Sequence, residues 1–319
     1  MSFWRGKRVL ITGGAGFIGS HVVRALQQKD CSDIFVVRSK EHDLTKEEDV
    51  VCLLEEARPD IVIHLAGLVG GISANQERPA EFFYQNLTMG TFMLHHSWRL
   101  GVKKFIAAGA GHYPVHTPIP FKEKTFWDGL PQPESAPYSL AKRLLHIQSK
   151  AYFDQYGFMS AIGILANVYG PNHTFDLQFS PVVPALLRKC VEAAENGSDT
   201  VTVWGSGRPT RDFIHVSDAA RGLLLAAERY ERPQLVNISS GTETTIRELV
   251  NILTELTGFK GRVVWDASQS DGALRHCLDP TKARKELGFQ VQIGLREGLE
   301  STIAWYKEHK QQARLSITV

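Results

Sequence analysis

A glycine-rich turn near the start of the chain constrains the fold more than any other feature. The apolar segment Arg8–Thr12 runs directly into GGAGFIG at residues 13–19, where glycines have the spacing G-x-x-G-x-x-G. The first glycine of such a turn permits a sharp bend, the second lets a pyrophosphate approach the backbone, and the third lets helix and strand pack closely. The segment therefore predicts a strand, a dinucleotide-binding turn and a helix N-terminus that holds negative charge. The predicted cofactor contacts in this turn are Gly13, Gly16, Phe17, Ile18 and Gly19.

Short apolar segments alternate with amphipathic ones through the first half of the chain. Strands alternating with helices pair in parallel through right-handed crossovers, which predicts an α/β fold with a Rossmann-like, doubly wound parallel sheet. The sequence favours a capping box at Thr45 and Glu48 for the second helix. Helices are predicted near residues 17–28, 46–57, 79–100 and 138–157. The predicted strands are Arg8–Thr12, Asp33–Arg38, Ile61–Ala66, Lys104–Ala108 and Ser160–Ala166.

The pattern changes after about residue 170, which predicts a smaller α/β substrate-binding lobe. A strand at Phe213–Val216 and the helix after it are expected to return to the first layer. Thr245 and Glu248 form a second predicted capping box. Further elements are predicted as a helix near 181–196, strands at Thr200–Trp204 and Arg262–Trp265, and two helices near the C-terminus. The expected domains are residues 1–170 with 208–240 for the dinucleotide and residues 171–207 with 241–319 for the substrate.

The end of the second strand bears on the choice of dinucleotide. An NAD enzyme usually places Asp or Glu there to meet the ribose hydroxyls, whereas this strand ends Val-Arg-Ser-Lys at residues 37–40. Arg38 can pair with a 2′-phosphate that a carboxylate would repel. NADP is therefore favoured, with NAD as the alternative if Arg38 and Lys40 are merely solvated. Asp43 and Leu44, just downstream, are further predicted cofactor contacts.

Tyr138 and Lys142 have the spacing of an acid–base pair on one helix face. The two side chains lie one turn apart near the start of a predicted helix. A neighbouring ammonium favours the phenolate, so the pKa of Tyr138 is predicted to fall. Lys142 can also hold the nicotinamide ribose. The pair is therefore predicted to be catalytic, and both residues are predicted to contact the cofactor.

Overall charge and cysteine usage exclude several other classes of protein. Lys plus Arg is 36 and Asp plus Glu is 34, a net charge of +2, which predicts neither a nucleic-acid nor a membrane partner. No apolar stretch reaches the ~18 residues that span a bilayer. The four cysteines form no C-x-x-C pair, so no metal site is expected and a cytoplasmic location is favoured.

Several longer motifs carry a family resemblance. They are IHLAGLVGG at residues 63–71, residues 138–157, NVYGP at 167–171, PALLR at 184–188, VWGSG at 203–207 with Arg211, and SDGALR at 270–275. On these motifs the chain resembles the extended short-chain dehydrogenase/reductases, the NAD-dependent epimerase/dehydratase family. It is most similar to the members that reduce and epimerise a GDP-linked 4-keto-6-deoxyhexose. The resemblance implies a nucleotide-diphosphate sugar as substrate and a homodimer.

The resemblance also implies roles for individual residues. Leu65, Ala66 and Gly67 would line the cofactor, and Asn167 and Val168 would lie by the nicotinamide and the sugar. The implied substrate contacts are Asn167, Val182, Lys189, Trp204, Arg211 and Arg275, with Lys189 and Arg211 on the diphosphate. Alternatively, Arg211 forms a surface ion pair with Asp212 or a neighbour. The dimer would use helices 79–100 and 138–157, whose aromatic residues serve either a core or an interface: Phe82, Phe83, Tyr84, Tyr152 and Phe153.

The chain departs from the family at three positions with catalytic roles. Gly109 stands where the family has a serine or threonine that binds the substrate carbonyl. Gly111 and Pro181 stand where epimerising relatives have cysteine and histidine, and neither can transfer a proton.

These departures favour a reductase or dehydrogenase that lacks the 3,5-epimerase step. The alternatives are a 4-epimerase with retained cofactor and a non-catalytic protein that binds NADP(H) or a sugar nucleotide. His112 could compensate for the lost groups, but we expect it to point away from the cleft or to pack under Tyr113. His173 is a weaker alternative.

Overall fold

The computed structural model describes residues 2–177 and 180–313. Its largest sheet has six strands in the order β2–β1–β3–β4–β5–β9, and every neighbouring pair is parallel. The predicted doubly wound parallel sheet is therefore confirmed. These strands are β1 (Arg8–Thr12), β2 (Asp33–Val37), β3 (Ile61–His64), β4 (Lys104–Ala110), β5 (Met159–Leu165) and β9 (Gln234–Ile238).

The order of the strands locates the binding crevice. The chain leaves β1 for β2 on one side and returns to β3 on the other side of β1. Right-handed crossovers in opposite directions place the two connecting helices on opposite faces. A crevice then opens beyond the carboxyl ends of β1 and β3, where α/β sheets bind their ligands.

The helices of this part form two packed groups. α1 packs against α7, whereas α2 packs against α4 and α4 against α5. Their bounds are α1 (Phe17–Gln27), α2 (Glu47–Ala57), α3 (Ile72–Glu77), α4 (Pro79–Arg99), α5 (Ala136–Tyr156) and α7 (Val216–Arg229).

The capping box predicted at Thr45 is wrong. Helix α2 begins at Glu47, and its N-terminal flanking residue is Lys46. Both the amide and the hydroxyl of Thr45 donate to Asp43 Oδ1, at 3.0 and 2.7 Å. The Asp43 carboxylate thus closes a local turn that competes with the helix for the threonine.

A second, smaller part of the protein contains the remaining strands. One sheet has the order β10–β8–β12, with β6 paired to β8, and a separate pair joins β7 and β11. These strands are β6 (Asn167–Tyr169), β7 (Thr200–Trp204), β8 (Thr210–His215), β10 (Glu243–Thr245), β11 (Arg262–Asp266) and β12 (Arg275–His276).

The prediction that residues 213–216 return to the main sheet is wrong. Those residues belong largely to β8, whose backbone pairs with β10, β12 and β6. The return is made by β9, which pairs with β5 at the sheet edge and had no counterpart among the predicted strands. An apolar strand pattern indicates burial but does not specify which strand becomes the partner.

The buried side chains form two hydrophobic clusters. One surrounds the six-stranded sheet, and the other lies among α6 (Val182–Glu195), α8 (Ile246–Thr257) and α10 (Leu295–Glu308). Helix α9 (Thr281–Leu287) packs against α7. Two clusters fit two interleaved units, although the domain boundaries themselves stay a prediction.

The second predicted capping box is confirmed and yields a stability prediction. Thr245 Oγ1 accepts from the Glu248 amide at 3.0 Å, and Glu248 Oε2 accepts from the Thr245 amide at 2.8 Å. Thr245→Ala should cost about 1 kcal/mol because it leaves an N-terminal amide of α8 unpaired. The melting temperature should fall by roughly 2–4 °C, measured by differential scanning calorimetry. Thr242→Ala, in the preceding loop, is the control, and equal losses in both variants would contradict the capping role.

Candidate active site

The glycine turn after β1 has the geometry that a pyrophosphate requires. Gly13 has φ +69°, and its carbonyl accepts from the Gly16 amide at 3.0 Å. A Cβ on Gly19 would lie only 2.1 Å from the Gly13 oxygen, so the close approach of helix and turn requires glycine there. Helix α1 has no side-chain cap and no acidic residue in its first turn. Its N-terminal amides therefore meet no competing carboxylate, and the turn fits the phosphates of a dinucleotide.

The segment after β3 lies directly against this turn. A Cβ on Gly13 would come within 2.8 Å of the Ala66 amide nitrogen. Leu65 N–H donates to the Thr12 carbonyl at 3.1 Å, and Ala66 N–H donates to Thr12 Oγ1 at 3.3 Å. The predicted cofactor residues Leu65 and Ala66 are thus brought beside Gly13 in the crevice.

Two buried polar residues that the sequence analysis missed hold these strand ends together. Thr12 Oγ1 lies 2.8 Å from His64 Nδ1, and both residues are buried. Burial lowers the pKa of His64 to about 3, so its imidazole is neutral. The available signal was a polar residue at the end of each of two otherwise apolar strands.

The loop after β2 presents an unpaired guanidinium. Arg38 is exposed, and in the described part of the chain it forms no ion pair. Its amide donates to Glu41 Oε2 at 3.0 Å, so a carboxylate does approach the ribose end of the strand from within the loop. Asp43 is engaged with Thr45, and Leu44 is buried in the main cluster. Glu41 is a contact that the strand-end rule did not foresee.

Helix α5 places Tyr138 in its first turn and Lys142 one turn later. Lys142 Nζ lies 3.5 Å from the Ala66 carbonyl oxygen. A Cβ on Gly67 would lie 2.8 Å from Lys142 Nζ and 2.7 Å from Asn86 Oδ1, so a larger residue here would displace the ends of both side chains. The predicted cofactor residues of β3 and the predicted catalytic pair therefore meet at one place.

The prediction that the pKa of Tyr138 falls is wrong. Burial raises the pKa of Tyr138 to about 12 and lowers the pKa of Lys142 to about 8. No charged group counteracts the burial of the phenol, since the ammonium is directed at the Ala66 carbonyl. At neutral pH Tyr138 therefore carries its proton and Lys142 is mostly charged.

The segment that lacks the family serine continues the β-sheet. β4 runs to Ala110, and Gly109 pairs with Ile164 of β5. A Cβ on Gly109 would lie 2.6 Å from Ile164 Cδ1 and 2.9 Å from Ile162 Cγ2. Any side chain at position 109 would therefore have to displace the isoleucines of β5.

His112 lies beside Tyr138, so the expectation that it points away from the site is wrong. The two rings meet edge to face with their centroids 5.9 Å apart. Burial lowers the pKa of His112 to about 4, with smaller contributions from His276 and Arg143. His276 itself reaches across from β12, and its Nε2 lies 2.8 Å from the Gly111 carbonyl oxygen.

His173 lies against the glycine turn instead. Its ring is 4.1 Å from that of Phe17 at the start of α1. Asn172 Nδ2 donates to Ser20 Oγ at 3.2 Å, which fixes the loop on the helix. Burial lowers the pKa of His173 to about 4. The ring of His173 therefore lies at the phosphate-binding turn and not at Tyr138.

The predicted substrate residues form two groups in the smaller part. Lys189 Nζ lies 5.6 Å from the centre of the Trp204 ring and donates to the Thr202 carbonyl at 3.1 Å. Trp204 is 62% exposed, which leaves its ring face available to a planar ligand. Val182 opens the same helix that carries Lys189.

The second group lies on neighbouring strands of the small sheet. Arg211 on β8 faces His276 on β12, the residue after Arg275. Arg211 donates to the carbonyls of Thr210 and Ala273 at 2.8 and 2.7 Å, whereas Arg275 pairs with Glu243.

The alternative of an Arg211–Asp212 ion pair is wrong. The Asp212 carboxylate is buried and accepts from Ser240 Oγ at 2.6 Å and from the amides of Gly241 and Leu278. The Asp212 carbonyl accepts from Asn167 Nδ2 at 2.9 Å, and Val168 packs on the main cluster. Val168 on β6 thus joins the smaller part to the main cluster, whereas the hydrogen bond of Asn167 lies within the smaller part.

Across residues 2–177 and 180–313, no group of three or more His, Cys, Asp or Glu side chains is arranged to hold a metal ion. No helix within those same ranges is long and apolar enough to cross a bilayer.

Comparison with known proteins agrees with this geometry. GDP-L-fucose synthase 1 from Arabidopsis thaliana is 37% identical over 300 residues, which are 94% of this chain and 93% of the relative. Two solved structures with NADP bound are also similar. A GDP-L-fucose synthetase from Naegleria fowleri has a TM-score of 0.89 and 26% identity, covering 99% of this chain and 98% of that one. A GDP-mannoheptose C4 reductase from Campylobacter jejuni has a TM-score of 0.85 and 27% identity, covering 94% and 98%.

The profile of the NAD dependent epimerase/dehydratase family matches residues 9–239. That range includes the glycine turn, Tyr138 and Lys142, and β8. The family resemblance inferred from the motifs is thereby confirmed, and this chain belongs to the NAD dependent epimerase/dehydratase family.

Proposed function

We propose that this protein is an NADP-dependent reductase of a GDP-linked 4-keto-6-deoxyhexose and performs no 3,5-epimerisation. The observation that carries the proposal is Tyr138 one helical turn before Lys142, near a strand end that bears no proton-transferring group at positions 109 and 111. The printed names of the relatives, GDP-L-fucose synthase and GDP-mannoheptose C4 reductase, support a GDP-sugar substrate. The opposite direction, oxidation of the corresponding alcohol, uses the same groups.

NADP would lie along the carboxyl ends of β1 and β3. The amides after Gly13 would bind the pyrophosphate, and Arg38 would pair with the 2′-phosphate once Glu41 is displaced. The NADP bound in two similar structures supports this choice over NAD. When bound, NADPH supplies the hydride of the reduction.

Tyr138 would deliver the proton. A phenol that is protonated at neutral pH can donate to the alkoxide that develops on the substrate carbonyl. Lys142, held at the Ala66 carbonyl, would bind the nicotinamide ribose and stabilise the resulting tyrosinate. In the smaller part, Lys189 and Arg211 would neutralise the diphosphate, and Trp204 and Arg275 would contact the nucleotide.

Loss of the epimerase step follows from side-chain chemistry. Epimerisation at carbon removes a proton from one face and returns one from the other, which requires two titratable groups. Glycine at 111 and proline at 181 offer none. The pKa values of His112 and His173, both near 4, make these imidazoles weak bases, and His173 lies against Phe17 rather than Tyr138.

The test is to measure binding and turnover together. Thermal shifts with NADPH, NADH and GDP-, UDP-, dTDP- and CDP-sugars would be followed by absorbance at 340 nm with GDP-4-keto-6-deoxymannose. We expect stabilisation by NADPH and GDP-sugars, NADPH oxidation, and a product with unchanged configuration at C3 and C5 by NMR. Cofactor that stays bound through turnover without net oxidation would indicate a 4-epimerase. Binding without any product would indicate a non-catalytic protein.

The pKa of Lys142 predicts a pH dependence. The ammonium form dominates below about pH 8 and is lost above it, whereas Tyr138 stays protonated throughout this range. The kcat/KM for reduction should therefore be level near neutrality and fall about tenfold per pH unit above about pH 8. A rate that stays level to about pH 10 would contradict the assignment. Lys142→Arg, whose charge does not titrate there, should remove the descending limb from whatever activity remains.

A homodimer through α4 and α5 is also proposed. Phe82 is buried within the subunit, whereas Tyr84 on α4 is 62% exposed and Ile147 on α5 is 46% exposed. Ile147→Glu should shift the protein from dimer to monomer in light scattering coupled to size exclusion. Val115→Glu, another exposed apolar position but outside these helices, should leave the dimer intact. An unchanged mass for Ile147→Glu, or a monomeric unaltered protein, would reject this interface.

The state of the cysteines supports a cytoplasmic location. Cys31, Cys52, Cys190 and Cys277 are all free thiols, and only Cys52 is exposed. Reduced, unpaired thiols are typical of the cytosol. Cell fractionation with an antibody to the unmodified protein would test the location.

A further inference from the structure

Resting on the proposed reduction, we infer that His112 donates a hydrogen bond to the substrate carbonyl oxygen, in place of the hydroxyl that is missing at position 109. A reductase needs a donor at this oxygen besides the general acid, because negative charge develops there. His112 is not one of the three positions at which the chain departs from the family.

His112 is the first residue after the apolar end of β4 whose side chain can donate a hydrogen bond. The residues from Ala107 to Gly111 are Ala, Ala, Gly, Ala and Gly, and none carries a polar group. The ring of His112 follows them and meets the ring of Tyr138 edge to face at 5.9 Å. The donor would thus lie beside the proton donor, where the substrate oxygen must also lie.

A serine side chain would not fit easily at position 109. Its Cβ would come within 2.6 Å of Ile164 Cδ1, because Gly109 remains paired within the sheet. A Cβ at position 111 would lie 2.9 Å from the Leu165 carbonyl oxygen. Glycine at both positions therefore avoids close contact with β5. The polar side chain of this segment is instead at position 112.

The backbone that carries His112 is held from three directions. His276 Nε2 lies 2.8 Å from the Gly111 oxygen, and Arg143 donates to the His112 carbonyl at 2.5 Å. Tyr113 Oη donates to Asn237 Oδ1 at 2.7 Å. A donor fixed in advance loses no free energy to reorganisation when charge develops, which is the condition for strong stabilisation of an oxyanion.

The chemical state of the ring also suits a donor. Burial keeps the pKa of His112 near 4, and the groups around it are His276, Arg143 and Tyr138, so the ring is neutral at pH 7. Its Nδ1 is buried and has no hydrogen-bond partner in the described residues. A buried N–H without an acceptor is costly, so the proton is favoured on Nε2. A neutral imidazole then presents one N–H to the site and cannot compete with Tyr138 as the acid.

The proposed step balances without a further reactant. Bound NADPH would supply hydride to the carbonyl carbon and be oxidised to NADP⁺. The electron pair of the C=O π bond moves to oxygen, and that oxygen takes the proton of Tyr138. His112 keeps its own proton throughout and only shares it as a hydrogen bond. Tyrosinate is reprotonated from solvent after product leaves.

Two substitutions separate donation from packing. His112→Leu removes the donor and keeps an apolar side chain against Tyr138, whereas His112→Gln retains an N–H donor. With GDP-4-keto-6-deoxymannose and NADPH, His112→Leu should lower kcat by roughly 10²–10³-fold, the loss seen when an oxyanion donor is removed. His112→Gln should recover at least about tenfold of that loss, with KM and the Kd of NADPH unchanged. His116→Leu, at an exposed position of the same loop, should behave as the unaltered protein.

A second measurement needs no substitution. Imidazole ¹⁵N NMR of the unaltered protein should show Nε2 of His112 protonated, and its signal should shift when NADP⁺ and GDP-4-keto-6-deoxymannose bind together. Full activity of His112→Leu, equal losses in the Leu and Gln variants, or an unshifted Nε2 signal would overturn the role of His112 while the reductase proposal stands. An unaltered protein that never oxidises NADPH with the keto sugar would overturn both.

Discussion

Tyr138→Phe is expected to lower the rate of carbonyl reduction by roughly 10²–10⁴-fold, the usual contribution of a general acid. The phenol is the proposed proton source for the substrate oxygen, and at a pKa of about 12 it is fully protonated in the working pH range. Phenylalanine preserves the ring that packs on Phe82 and His112, so the fold should be unaffected. Single-turnover oxidation of NADPH at 340 nm would measure the chemical step directly.

Binding provides the internal check on this variant. The Kd of NADPH should change little, because the phosphate-binding turn, Arg38 and Lys142 are all unaltered. Tyr156→Phe, on the same helix, should retain full activity. A Tyr138→Phe enzyme within about threefold of the unaltered rate would show that another group delivers the proton.

Gly19→Ala is expected to abolish detectable binding of NADPH and to lower the melting temperature. The added Cβ would lie 2.1 Å from the Gly13 oxygen and 2.6 Å from Gly14 Cα. Both neighbours are backbone atoms of the turn, so the helix and the turn must move apart. Overpacking costs about 1–3 kcal/mol even where side chains can yield, and here the phosphate-binding amides themselves are displaced.

Gly90→Ala is the matched control for that substitution. Gly90 also lies inside a helix, but its nearest neighbour would be Leu145 Cδ1 at an ordinary 3.5 Å. Alanine has the higher helix propensity, by about 1 kcal/mol, so this variant should melt no earlier than the unaltered protein and bind NADPH normally. Isothermal titration of both variants distinguishes steric conflict from a general effect of replacing helical glycine. Normal NADPH binding by Gly19→Ala would contradict the structure of the turn.

Burial, more than charge pairing, determines the pKa values of the catalytic pair. Burial alone raises the pKa of Tyr138 and lowers that of Lys142. A reductase benefits from the first shift, since its acid must enter the reaction protonated, whereas the second confines the Lys142 ammonium to pH values below about 8.

Local features of the chain could be predicted from the sequence. β1 and β7 have the predicted bounds, and α1 ends one residue before its predicted limit. The capping box at Thr245 was also predicted correctly. These features depend on side chains a few residues apart, where glycine sterics, capping hydrogen bonds and apolar periodicity act directly. The same holds for Tyr138 and Lys142, which helix geometry places one turn apart.

Features that depend on distant partners required the tertiary structure. β8 ends in apolar residues that resemble a main-sheet strand, but its backbone pairs with β6, β10 and β12. β9 therefore forms the edge of the main sheet. Thr45 has the spacing of a helix cap, but its hydroxyl donates to the Asp43 carboxylate instead.

The site itself shows the same division. The sequence determined which groups are missing at positions 109, 111 and 181, because residue type alone decides whether a proton can be transferred. Only the tertiary structure decided that His112 faces Tyr138, since Arg143 and His276 orient that loop from 31 and 165 residues away in the chain. Burial likewise arises from the whole fold, and it reversed the expected shift of the Tyr138 pKa because desolvation acts on the phenol while the Lys142 ammonium points to a carbonyl.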